Sequence, residues 1–97
     1  MIRHCYLVTY DISCPKRWRK VFRLMRGYGE HVQLSVFRCD LTPPRHARLK
    51  LSLDPLLHHD EDQVLIPRLG RTGEPTLREI ELLGRPHTFR PPGTTIV

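Results

Sequence analysis

The sequence predicts one α+β domain built on an antiparallel sheet. Three observations carry that reading. Short β-rich segments alternate with two amphipathic helical stripes, each helix is introduced by a capping residue and a proline, and 97 residues suffice for one modest core. The chain is 39% hydrophobic, in periodic runs, which argues for a folded protein even with nine prolines.

The first element is His4–Tyr10 (HCYLVTY), rich in β-formers and too short for a helix, hence a buried strand. Ser13 or Cys14 stands at the cap position, and Pro15 suits the first helical turn. Trp18, Val21, Phe22 and Met25 follow at i, i+3, i+4 and i+7, a single apolar stripe. Gly27 and Gly29 stop that helix. His31–Leu41 (HVQLSVFRCDL) alternates, with Val32, Leu34 and Val36 on one side and Gln33, Ser35 and Phe37 on the other. It reads as one long strand or as two short ones broken near Ser35.

Thr42 and Pro43 open a second helix, whose stripe is Leu49, Leu53, Leu56 and Leu57. Pro55 lacks the N–H and crowds the preceding turn, so a kink or an early end is expected there. His58–Asp62 (HHDED) is a polar, solvated connector on this reading. Gln63–Gly70 is a strand placed at a sheet edge by Pro67, which cannot donate to a ladder. Residues 71–75 form a loop, Thr76–Gly84 is a strand or a short helix, and a Pro-rich tail with a short terminal strand occupies 85–97. The domain therefore spans residues 1–84. If the middle segment splits, the order is the ferredoxin-like βαββαβ plan, with both helices on one sheet face. The other face, expected to carry Leu7 and Phe37, is left partly apolar, and a two-fold homodimer is the simplest way to cover it.

The net charge of +6 points to a polyanionic partner, nucleic acid before acidic lipid. Lys16, Arg17, Arg19, Lys20, Arg23 and Arg26 crowd the first helix with no acid among them, so no i+4 partner balances them and phosphate contact is the better reading. A dimer doubles that charge along one face, which suits backbone contact to a duplex without base readout. Three cysteines without a CxxC pair indicate a reducing compartment, and Cys5 and Cys39 sit in apolar runs as small hydrophobes. The N-terminus reads as strand rather than as a signal peptide, and no apolar run approaches the ~20 residues of a membrane span. A cytoplasmic protein without a membrane partner is expected.

Asp11 is a lone carboxylate between the first strand and the basic helix. It either ends the strand and caps the helix, or serves chemistry. The histidines and acids of 58–62 lack HxxxH or HExxH spacing and are not read as a metal site. Ser35 has no His or acid at a meaningful spacing and is not a nucleophile. Most aromatic residues belong to the core.

The ordered set of YDI (Tyr10–Ile12), a basic helix ending in GYG (Gly27–Gly29), VQLSVF (Val32–Phe37), DED before a strand and IELLG (Ile80–Gly84) resembles the CRISPR-associated protein 2 family, from Ile2 to about Gly84. The resemblance implies a ferredoxin-like dimer whose C-terminal strand pairs with the partner subunit, acting in CRISPR adaptation as a bridge between dimers of the CRISPR-associated protein 1 integrase. It also implies a metal-dependent endonuclease, with Asp11 as the catalytic residue and the ligand of Mg²⁺ or Mn²⁺ at the dimer axis, acting on RNA or DNA, with duplex DNA the favoured partner. One carboxylate is a poor Mg²⁺ site, and the two-fold axis supplies a second. Arg17 and Arg19, nearest Asp11, are then placed to hold the scissile phosphate. Pro55, the Pro67-Arg68 pair and the long tail depart from the family pattern, and the tail is an expected docking segment for the integrase. Two alternatives stand beside this reading: a non-catalytic scaffold that spaces integrase dimers along DNA, and a toxin-like ribonuclease of the virulence-associated protein D type.

Overall fold

The structure is a computed structural model and describes residues 1–74 and Leu83. Its elements run β1 (His4–Asp11), α1 (Pro15–Arg26), β2 (Glu30–Gln33), β3 (Val36–Leu41), α2 (Pro43–Leu53), a 3₁₀ turn (Asp54–Leu56), β4 (Gln63–Leu65) and β5 (Arg68–Arg71). The sheet order is β2-β3-β1-β4, with β5 also paired to β1 and every pairing antiparallel. This is the ferredoxin-like βαββαβ plan, and the middle segment is two strands. The readings of Thr76–Gly84 and of the tail 85–97 lie outside the described residues, as does any exchange of the C-terminal strand.

One side of the sheet carries the core. Tyr6, Val8 and Tyr10 of β1 and Phe37, Cys39 and Leu41 of β3 pack against Val21 and Met25 of α1 and Leu49 and Leu53 of α2. Phe37 is fully buried there, which corrects its expected place on the uncovered face. The reason lies in the turn between β2 and β3. Leu34 adopts φ +21°, so the alternation does not run through 31–41 unbroken, and β3 restarts its own phase in register with β1, Val8 opposite Phe37. Leu7, Thr9, Val36 and Leu65 occupy the other side, in register as Thr9 opposite Val36 and Thr9 opposite Leu65. Leu65 is 54% exposed there.

Local chemistry explains the joints. Cys14 is the N-cap of α1 and makes no side-chain cap bond, while Pro15 takes the first helical position. Gly29 follows the helix at a close approach: a Cβ there would collide with the Arg38 carbonyl oxygen and the Cys39 sulfur. Arg45 of α2 donates to the Gly27 carbonyl (3.1 Å) and lies 4.6 Å over the Tyr28 ring, tying the start of α2 to the end of α1. Pro55 turns the end of α2 into a 3₁₀ turn, the early end its ring demands. At the sheet edge Pro67 separates β4 from β5, and its carbonyl accepts from the Leu7 N–H at 3.1 Å. No helix among the described residues is long and apolar enough to cross a membrane.

Candidate nucleic-acid site at the end of the first strand

Asp11 is the last residue of β1, exposed, and in register with Gln63 of β4. Among the described residues its carboxylate has no hydrogen-bond or ion-pair partner. The cap position of α1 belongs to Cys14, so Asp11 does not cap the helix. The backbone beside it is held firmly. The Tyr10 N–H donates to the Ser35 carbonyl at 3.0 Å, and the Trp18 indole N–H donates to Ser35 Oγ at 2.8 Å. Ser35 is thus a fastener between α1, the β2–β3 turn and the end of β1. Tyr10 points into the core, where its hydroxyl is buried without a hydrogen-bond partner among the described residues and burial pushes its pKa up to about 12.

The cations of α1 divide into two groups. Lys16, Arg19, Lys20, Arg23 and Arg26 are exposed, on the side of the helix away from Val21 and Met25. The Arg26 guanidinium lies 6.0 Å over the Phe22 ring. Arg17 differs. Its Nε donates to Asp62 Oδ2 at 2.7 Å, and its Nη2 donates to Asp62 Oδ1 at 3.1 Å and to Glu61 Oε1 at 3.4 Å. Asp62 also accepts from the His58 N–H at 2.8 Å, and its side chain is completely covered. Arg17 and that backbone N–H hold the Asp62 carboxyl below the usual carboxylate range, and Asp62 raises Arg17 in turn.

Two expectations change here. The 58–62 connector is not simply solvated, because Asp62 anchors it to α1. The helix charges lack acidic partners only along the helix itself, since Arg17 finds its own from 45 residues away. Asp62 directly precedes Gln63, the cross-strand neighbour of Asp11, so the ion pair joins the two chain segments that flank the candidate carboxylate. Cys14 sits at the same corner. The backbone N–H groups of Arg17 and Lys16 favour its thiolate and lower its pKa.

Among the described residues no three His, Cys, Asp or Glu side chains converge on a metal position. Among the described residues the unpaired hard donor at this corner is the Asp11 carboxylate, since Asp62 is taken up by Arg17. That does not fit a closed zinc site, and it fits a cation such as Mg²⁺ that keeps most of its water and takes one or two carboxylates with phosphate.

Comparison with known proteins places the chain. The family described as CRISPR associated protein Cas2 matches residues 4–74. A protein of Rhodospirillum rubrum named CRISPR-associated endoribonuclease Cas2 1 is 45% identical over 82 residues, 84% of this chain and 79% of that one. One of Halalkalibacterium halodurans named CRISPR-associated endonuclease Cas2 is 39% identical over 69 residues, 66% of this chain and 72% of that one. The crystal structure of Streptococcus pyogenes Cas2 at pH 6.5 superposes with a TM-score of 0.73 at 35% identity, covering 82% of this chain and 99% of that one. With the strand order, the helix placement and this breadth of sequence agreement taken together, the chain belongs to the Cas2 family of CRISPR-associated proteins.

Proposed function

We propose that this chain is the Cas2 subunit of CRISPR adaptation, a homodimer that binds nucleic acid and cleaves its phosphodiester backbone with Mg²⁺ or Mn²⁺, and that docks the CRISPR-associated protein 1 integrase. The observation that carries the reading is the exposed Asp11 carboxylate, unpartnered among the described residues, at a braced strand end immediately before a helix whose exposed face is cationic. The relatives named endoribonuclease and endonuclease support the reaction class. Half-buried Leu7, Thr9 and Val36, with exposed Leu65, support a second copy on the open sheet face.

Asp11 would hold the cation, with the partner subunit providing the second carboxylate of a shared site. When bound there, the cation would supply positive charge that offsets the charge developing on the phosphate. Lys16, Arg19, Lys20, Arg23 and Arg26 gather the backbone phosphates by charge, without reading bases. Arg17 acts differently from the clamp expected of it: paired with Asp62, it braces the corner that carries Asp11.

The test compares wild type with Asp11→Asn on labelled single-stranded RNA and duplex DNA, with Mg²⁺ and with EDTA. Cleavage that requires both the metal and Asp11 is the expected result, and the cleaved strand identifies the substrate. Equal cleavage by the two proteins overturns the role of Asp11, and no cleavage by either overturns the nuclease assignment and leaves a DNA-spacing scaffold.

A further inference from the structure

Leu34 is the one non-glycine residue with positive φ among those described, and it is 78% exposed. Both features run against its chemistry. Glycine or asparagine enters that conformation readily, whereas a leucine Cβ crowds the backbone. Leucine also gains nothing from solvent. Strain held at one residue persists where the surroundings over-determine it, and such residues cluster at functional sites.

The surroundings here are over-determined. The carbonyl of Leu34 is bonded to the His31 ring Nε2 at 3.1 Å, and that ring is wedged 5.1 Å from both Phe22 and Phe37. The next residue, Ser35, accepts from the Tyr10 N–H and from the Trp18 indole. Leu34 is therefore displayed by a rigid turn and does not dangle from a loose one. Its position is equally defined. Thr9 lies opposite Val36 and Tyr10 is bonded to Ser35 across an antiparallel pair, so Leu34, which precedes Ser35, comes level with Asp11, which follows Tyr10. The apolar tip and the Asp11 carboxylate leave the sheet at the same end.

We propose that Leu34 is a substrate-positioning residue that inserts its side chain against the bases of the nucleic-acid strand presented to Asp11, partly unstacking one base step. The inference rests on the nucleic-acid reading above. The charge of the neighbouring helix face selects a polyanion. Within a nucleic acid the apolar partner for an exposed leucine is a base face, and aliphatic wedges of this kind open base steps elsewhere. The positive φ is then the cost of presenting the side chain outward, where an asparagine or glycine would make an easier turn and no wedge.

The experiment uses the full chain with Leu34→Asn, which accepts the turn and removes the wedge, and Leu34→Met, which keeps an apolar side chain. Single-stranded RNA and duplex DNA carry 2-aminopurine at several positions, so that any opened step brightens. Wild type and Leu34→Met are expected to raise the fluorescence on binding. Leu34→Asn is expected to melt no lower than wild type, to keep the wild-type mass in solution, to bind roughly five- to tenfold more weakly and to leave the fluorescence flat. Binding by wild type with flat fluorescence, or an unchanged signal from Leu34→Asn, overturns the wedge and leaves the nuclease reading standing. A change of oligomeric mass in Leu34→Asn also overturns it, making Leu34 a subunit contact. Failure of wild type to bind either probe removes the nucleic-acid reading and the wedge with it.

Discussion

Asp11 and Asp62 are both acids beside a basic helix, and their surroundings are opposite. Asp62 is covered and bonded to Arg17, whereas Asp11 is exposed and unpartnered among the described residues. The depressed pKa of Asp62 makes the ion pair a pH-dependent support. Its folded value lies below the unfolded one, so its contribution is complete above the unfolded carboxylate pKa and fades as pH falls through the lower folded value. Urea unfolding from roughly pH 6 down to pH 2 should show wild type losing stability on acidification, with Asp62→Asn less stable at neutral pH and flatter in its acid dependence. Parallel pH profiles would contradict the pairing. Tyr10→Phe removes a buried hydroxyl that has no partner among the described residues, so its urea midpoint should equal or exceed that of wild type, by up to about 1 kcal/mol in stability. Asp11 is legible in the sequence because it interrupts an apolar run. The duty of Asp62 is not, since its partner is remote in the chain and no local spacing marks it.

The helices are the most legible elements. The stripe of Trp18, Val21, Phe22 and Met25 and the Pro15 start define α1 from sequence, and Pro55 ends α2 where its missing N–H requires. The β2–β3 hairpin is ambiguous in the sequence for a physical reason. Such turns usually announce themselves with Asn-Gly or a similar pair, and this one is made at Leu34 and Ser35. The face of Phe37 is misread as a consequence, because an unbroken alternation puts it on the wrong side of the sheet. Gly29 reads as a helix stop and is in addition a contact point between the α1–β2 joint and β3. Gly29→Ala should therefore destabilise the protein by about 1–3 kcal/mol, since the backbone of Arg38 must shift to admit the methyl group. Denaturant midpoints measure this, and a midpoint equal to wild type would mean the joint yields freely.

At the scale of the molecule, charge and the uncovered face are what composition and strand pattern can foretell. The +6 charge is concentrated on α1, and its exposed part excludes Arg17. Binding to duplex DNA should weaken steeply with salt. Replacing Lys16, Arg19, Lys20 and Arg23 with alanine should flatten the log–log slope by about 0.9 for each phosphate no longer neutralised, and a slope equal to wild type would remove this face from the interface. On the proposed function, the catalytic centre is completed by two copies of Asp11 at the two-fold axis. Wild-type and Asp11→Asn chains, unfolded together and refolded at graded ratios, test it most directly. Cleavage falling as the square of the wild-type fraction is the predicted result, because a mixed dimer lacks one carboxylate. Cleavage falling in simple proportion to that fraction would contradict the shared site and show each subunit working alone.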